Sequence, residues 1–380
     1  SATVSWTTNE SSTSVVQYGT SATALTSTAT GSAGTSHAVT LAGLTPSSRY
    51  YYRVTSADAA ANSTTSPTTT GAAATYVPTV TPVTQTTAAD FGSGTLTGSY
   101  ISQNSDGEVT QAPTLGVEFD GTTLPTGWTS TVIATGGTTG VSGGKATLSG
   151  TRIFSTATAA SPKSLEVSAV MPKNGRVGFG NSSQSVYAAL STNSQGQVVA
   201  LARDGLFSNS ATVISGVNAA LPHRYRVDWV STTQVAFSID GVQVSTATFW
   251  RSSSLVVVLQ DSTTDATPLV VDWLRVSPFA ASGTYQSAVV DAGATVGWDT
   301  LAFTGTLPAG TTRTIQVRSG DTPTPTSPGT PWTGWTTVAS SGASIARSSR
   351  YLQYQILMTS TGSRFTSSTT DSVQMVFHVL

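Results

Sequence analysis

The chain has 380 residues, a formal net charge of −1 and no cysteine, and only 9% of it is charged. Its three lysines are Lys145, Lys163 and Lys173, and its arginines are scattered, so no basic patch exists to hold a nucleic acid. No apolar run approaches the ~18–20 residues of a membrane helix. Serine, threonine, glycine and alanine carry the surface instead, and 38% hydrophobic content is too high for a disordered chain.

Short apolar alternations between Gly, Pro, Ser and Thr clusters recur throughout. They predict an all-β protein built as three tandem β-sandwich or jelly-roll domains. At about 100–200 residues per domain, the length agrees with two to four domains. A first domain over 1–74 is read from Val4 and Trp6, Val16 and Tyr18, Val39 and Leu41, and Tyr50, Tyr52 and Val54, each pair a separate strand. Residues 75–90, with Pro78 and Pro82, read as a semi-stiff extended linker.

A second domain, 91–279, carries about ten or more strand-like segments. Asp204-Gly205 and Asp240-Gly241 lie between alternating segments and signal hairpin turns. Trp229 and Trp273 sit inside such segments and are expected in the core. A third domain, 280–380, runs from Tyr285 through Trp298, Ile315 and Tyr351–Ile356 to Val373–Phe377. Its loop Asp321–Pro331, rich in Pro and Thr, reads as a long tip.

Several motifs invite a chemical reading. Glu118-Phe119-Asp120 fits the start of a Glu-x-Asp-x-x-Glu strand, which would place three carboxyl groups on one face. The third position is Thr123, so the pair is read as solvated acids on an edge strand. Gly140-Val141-Ser142-Gly143-Gly144 matches a nucleophile elbow in letters. That elbow needs a helix after it, and Lys145-Ala146-Thr147-Leu148 is strand-like, so a hairpin turn is expected. His37, His223 and His378 lie far apart without metal-ligand spacing and read as structural.

Three resemblances organise these residues. Ala2–Trp6, Val16-Gln17-Tyr18, Leu41–Pro46 and Tyr50–Val54 resemble a fibronectin type III domain lacking its first strand. The resemblance implies that the Tyr50 hydroxyl bonds back to nearby backbone. It also implies an open edge at residues 1–6. That edge would be covered by upstream sequence or by a neighbouring subunit, whose Val373–Leu380 is one candidate donor.

The second domain resembles the concanavalin A-like lectin/glucanase jelly rolls of large secreted bacterial proteins. Glu118–Trp128, His223–Trp229, Phe237–Gly241 and Val271–Val276 carry that likeness. The third resembles galactose-binding-like sandwiches. Together they imply a secreted or cell-surface location.

A sugar-binding role needs aromatic faces beside planar hydrogen-bonding groups. Tyr187, Arg203, Gln260 and Asp261 are the candidates on strands, with Trp250 as a rim. Trp332 and Trp335 are read equally as core or platform. Jelly rolls of this type also carry Ca²⁺, for which Asp90, Asp106, Glu108 and Asp272 are the oxygen-rich candidates; no other cofactor is implied. The leading functional reading is a surface or adhesion protein without enzymatic activity that binds carbohydrate. A filament or sheath subunit and the accessory modules of a secreted glycoside hydrolase are the alternatives.

Overall fold

A computed structural model describes all residues except 1, 46–47, 77–80, 104–106, 326–331 and 380. The described residues are almost entirely strands. Their single α-helix is the five-residue Ala88–Gly92, so none is long and apolar enough to cross a membrane.

The first unit is one five-stranded sheet. Its first two expected strands are one continuous 18-residue strand, Ala2–Gly19. That strand pairs with Ser27–Leu41 along its length, from Ala2 opposite Leu41 to Tyr18 opposite Ser27. Register shifts between Thr7 and Ser14 absorb the polar middle. Only Val15–Gly19 also pairs with Tyr50–Ala57. The core is small: Val16, Val39, Leu41, Leu44 and Tyr50. Trp6 is therefore only half-buried; it stacks on His37 at 4.8 Å and donates to Ser56 Oγ at 2.8 Å. The Tyr50 hydroxyl accepts the Thr45 N–H at 2.9 Å.

The middle unit is a sandwich of two antiparallel sheets. The eight-stranded sheet runs, in spatial order, Thr138–Ser142, Lys145–Ser149, Leu269–Val276, Lys163–Val170, His223–Ser231, Gln234–Ile239 and Val242–Thr248. Leu115–Val117 adds to its Leu269–Val276 strand. The seven-stranded sheet runs Trp128–Val132, Thr151–Ala159, Leu255–Asp261, Gly175–Gly180, Tyr187–Thr192, Val198–Arg203 and Asn209–Ile214.

Alternation turns Val257, Leu259, Val177, Phe179, Ala188 and Leu190 of one sheet toward Leu165, Val167, Tyr225, Val227 and Trp229 of the other. Trp229 is fully buried, with its ring centroid 6.1 Å from Phe179 and 5.8 Å from Phe249. Gly143 and Gly144, both at positive φ, make the hairpin turn expected from the Gly140–Gly144 motif.

The third unit differs from the sequence expectation. Thr81–Gln85, expected in the linker, is a strand paired with Ser372–Val379, from Val373 opposite Gln85 to Phe377 opposite Thr81. Thr95–Thr97 pairs with Ser282–Gln286. Ser99–Ser102 and Glu108–Gln111 form a small sheet with Thr369–Thr370. Phe91 and Val109 enter the core of Tyr285, Trp298, Leu352, Tyr354 and Phe377. Residues 81–111 thus pack with 282–379 rather than opening the jelly roll at 91. Pro82 is tolerated because its strand is an edge. Ser372–Val379, expected as a donor to residues 1–6, has both its edges paired inside this unit.

Candidate functional site

The seven-stranded sheet turns one face to the core and the other outward. Pairing register places the outward residues in rows. One row crosses three neighbouring strands as Arg152, Gln260 and Arg176, and continues to Ser191. The next holds Phe154, Val258, Gly178 and Ala189. The third holds Val256, Gly180, Tyr187, Arg203 and Asn209.

The middle row is a floor of small side chains. A Cβ on Gly178 would lie 2.5 Å from the Ala189 Cβ, so only glycine fits there. Val258 and Ala189 point outward yet are buried, because longer side chains roof them. Arg176 is one roof: its guanidinium lies 4.4 Å from the centroid of the Tyr187 ring. Its Nη1 reaches Gln184 Oε1 at 3.4 Å, and Gln184 Nε2 donates to the Asn181 carbonyl at 2.6 Å. Arg152 Nη1 donates to the Ser182 carbonyl at 3.0 Å, and Gln260 Nε2 donates to Ser262 Oγ at 2.7 Å.

The Nε atoms of Arg152 and Arg176 are buried and have no hydrogen-bond partner among the described residues. Burial holds the Arg176 pKa below its ordinary value, with Tyr187 opposing and the Arg152 charge reinforcing the shift. Beside these groups opens a hollow of about 310 Å³, lined by Phe154, Gly180, Asn181, Ser182, Ser254 and Val256. Aromatic rings beside fixed amide and guanidinium donors are what a sugar ring needs for stacking and hydroxyl recognition.

The candidates from sequence divide. Tyr187 and Gln260 are half-buried on this face, and Arg203 is exposed at its end. Asp261 is a correction: it is fully buried, because alternation turns it toward the core. Its Oδ1 accepts the Thr263 N–H at 3.0 Å and its Oδ2 the Leu269 N–H at 3.3 Å, and burial raises its pKa. It shapes a turn and does not face a ligand.

Trp250 is 51% exposed beside Leu206 and Phe207, exposed 73% and 84%. The buried Asp204 organises this tip. Its Oδ1 accepts the N–H groups of Leu206, Phe207 and Ser208 at 2.7, 2.8 and 2.9 Å, and its Oδ2 that of Trp250 at 3.3 Å. Burial opposes its charge, yet these backbone donors bring its pKa down to about 2.

Sequence reading missed Arg152, Arg176, Phe154, Asn181 and Gln184. The available signal was Arg within the apolar runs Thr151–Phe154 and Gly175–Gly180, conspicuous in a chain so poor in charge.

The outer face of the eight-stranded sheet has another character. Arg275, Glu166 and Arg226 form its central row, with alternating charge. Arg275 Nη2 lies 2.7 Å from Glu108 Oε1, both nearly buried, and its guanidinium covers the Trp273 ring at 4.1 Å. Trp273 is 1% exposed but lies on this outward side, not between the sheets. A cleft of about 600 Å³ separates this row from the third unit's Pro308, Phe365 and Asp371.

Glu118 corrects the reading of solvated edge acids. It is buried, accepts the Gln103 N–H at 3.1 Å, and its pKa is raised chiefly by burial.

The proposed calcium ligands are not brought together. Asp90 caps the short helix, its Oδ2 accepting the Thr86 and Thr87 N–H groups at 3.0 and 2.9 Å. Glu108 is paired with Arg275, Asp272 is half-buried on a strand, and Asp106 lies outside the described residues. Among the described residues no three His, Asp or Glu side chains converge to hold a metal.

The histidines serve packing. His37 bonds to Ser14, His223 to Asp240 at 2.7 Å and His378 to Asp299 at 2.9 Å. Trp332 and Trp335, both half-buried, hold Arg318 against their rings at 5.5 and 4.5 Å. Part of the expected Asp321–Pro331 tip, residues 326–331, lies outside the described residues.

Residues 1–71 match the family model of the purple acid phosphatase N-terminal domain. No curated protein matches the chain in sequence. Several solved structures match in fold, and all are distant. An endo-β-1,3-glucanase from Pyrococcus furiosus is 14% identical with a TM-score of 0.35, over 47% of this chain and 97% of its own. The Bacillus licheniformis β-glucanase is 16% identical with a TM-score of 0.35, over 43% and 97%. The β-agarase A of Zobellia galactanivorans is 15% identical with a TM-score of 0.33, over 48% and 92%.

The middle unit, a sandwich of two antiparallel sheets, is what these glucanases are similar to. Two expectations from sequence, the adhesion protein and the absence of enzymatic activity, run against these comparisons. The structures found similar include glucanase, agarase and transglycosylase proteins and a pseudo-β-1,3-glucanase of Mycobacterium tuberculosis. Of the three readings, the glycoside hydrolase one agrees with these findings. At such identities the likeness is one of fold.

Proposed function

We propose that this chain is a polysaccharide-engaging part of a secreted glycoside hydrolase, with the outer face of the seven-stranded sheet as its glycan platform. A fold alone supplies no function, so the reading rests on that face. The observation that carries it is the outward row of half-buried Arg152, Gln260 and Arg176, with Phe154 and Tyr187 beside it. In this reading the first unit is a fibronectin type III-like module and the third a galactose-binding-like sandwich that supports the jelly roll.

A shallow open face buries little ligand area, so affinities in the micromolar-to-millimolar range are expected. The test is affinity electrophoresis against a panel of neutral and acidic polysaccharides, with the folded wild-type protein, Tyr187→Ala and Gly178→Val. Wild type should be retarded by at least one polysaccharide and both variants released. Equal retardation of all three proteins, or none by any polysaccharide, would exclude this face as a glycan platform.

A further inference from the structure

We infer that the glycan engaged by this face is anionic, its carboxylate or sulfate group seated between Arg152 and Arg176. The inference rests on the glycan-platform reading and names the substrate class of the same site.

The argument begins with charge accounting. Arg152, Arg176 and Arg203 all lie in outward positions of the seven-stranded sheet. The outward strand positions that pair with them carry no carboxylate: they are Thr131, Gln260, Ser191, Tyr187 and Asn209. The two acids at the ends of these strands, Asp204 and Asp261, are fully buried and bonded to backbone N–H groups. Among the described residues, these arginines therefore have no counter-ion on their own face.

Placement sharpens this. Arg152 and Arg176 flank Gln260 on alternate strands, so their backbones stand about 10 Å apart. Each is half-buried, each spends one Nη on a neutral oxygen, and each keeps a buried Nε without a partner. Two partly desolvated like charges on one face are unfavourable in the free protein, and the Arg152 charge adds to the forces that lower the Arg176 pKa. A planar or tetrahedral anion between them would accept hydrogen bonds from both guanidinium groups and remove the repulsion. The half-buried Phe154, which lines the adjoining hollow, would take the apolar face of the same sugar residue. The whole chain carries a net charge of −1, so attraction to a polyanion has to come from a local site.

The opposite sheet supplies an internal contrast. There the same three-strand arrangement reads Arg275, Glu166, Arg226, and the central acid balances the row. On the proposed site the central residue is Gln260.

The test is affinity electrophoresis and calorimetry with polygalacturonate as the uronate probe, ι-carrageenan as the sulfate probe, and laminarin and agarose as neutral controls. At least one acidic polymer should bind, and raising NaCl from about 0.05 to about 0.5 M should weaken it. Which polymer binds distinguishes carboxylate from sulfate.

Arg176→Gln and Arg152→Gln should each reduce that affinity roughly 10- to 100-fold, the worth of one charge-assisted contact. Arg176→Lys should retain part of it. Gln260→Glu, which restores the balanced row of the opposite sheet, should abolish acidic binding while raising or preserving the melting temperature. Arg224→Gln, on the other sheet, should change nothing.

Binding of laminarin or agarose alone, insensitive to Gln260→Glu, would overturn the anionic assignment and leave the platform standing. Acidic binding reduced as much by Arg224→Gln as by Arg152→Gln would also overturn it. Retention of no polymer by folded wild type would remove the platform reading together with it.

Discussion

The two outer faces of the jelly roll are built alike and charged differently. Each carries an arginine, a central residue and a second arginine on three adjacent strands. On the eight-stranded sheet the centre is Glu166, and Arg275 and Arg226 find Glu108 and Asp228, both at 2.7 Å. On the seven-stranded sheet the centre is Gln260 and the arginines find only neutral oxygens. The first arrangement is structural: it satisfies its charges within the protein and ties the jelly roll to the strand Glu108–Gln111 of the third unit. The second leaves donors unmet, which costs stability and leaves them available to a ligand. Arginine content does not separate the faces. The residue placed between the arginines does.

The largest expected effect that sharpens this contrast lies at the buried Arg275–Glu108 pair. Arg275→Met should cost about 3–5 kcal/mol, because it leaves a carboxylate buried without its cation. Denaturant titration should show the loss, and Arg275→Met combined with Glu108→Met should recover most of it. A cost near zero for the single variant would mean that the eight-stranded face does not depend on its pairing.

Next comes the end of the seven-stranded sheet. Asp204→Ala removes the acceptor of four backbone N–H groups and should cost about 1–3 kcal/mol. Tryptophan fluorescence should report a changed Trp250 environment, since that residue is tied to Asp204.

Smaller and more diagnostic is the exchange of central residues. Glu166→Gln should destabilise and Gln260→Glu should stabilise, each by about 0.2–1 kcal/mol, the worth of a cross-strand charge pair. Equal signs in thermal melts would break the comparison.

The remaining effects are in pH, and they run in opposite directions. The Asp204 pKa is depressed to about 2 from 3.8, so its stabilisation is present above 3.8 and lost as pH falls toward 2. The Glu118 pKa is raised above 4.5, so its contribution is greatest below 4.5 and declines as pH rises through the raised value. Melting temperatures of Asp204→Asn and Glu118→Gln should flatten the acid limb and the rising limb respectively.

Much of the architecture was legible because a strand announces itself locally. Alternation at His223–Trp229 gives both the strand and the side each residue faces. Asp240-Gly241, both at positive φ, made the turn its dipeptide signals. The candidate site was legible in part: Tyr187, Gln260 and Arg203 fall on the face proposed here as the platform. Asp261, one residue beyond Gln260, faces the core, since a step of one reverses the side. The missed residues Arg152 and Arg176 lie 24 positions apart, and only the intervening strand Leu255–Asp261 makes them neighbours.

The sequence by itself determined that this chain is all β, where most of its strands and turns lie, and that its surface is poor in charge. These follow from side-chain period and turn chemistry, which act over a few residues. Only the tertiary structure decided that Thr81–Gln85 pairs with Ser372–Val379, that residues 81–111 serve the third core, and that Arg152 and Arg176 bracket Gln260. Strand pairing joins edges from opposite ends of the chain, and its register is settled by which distant edge is free and which face is already buried. No local stretch of sequence contains that information.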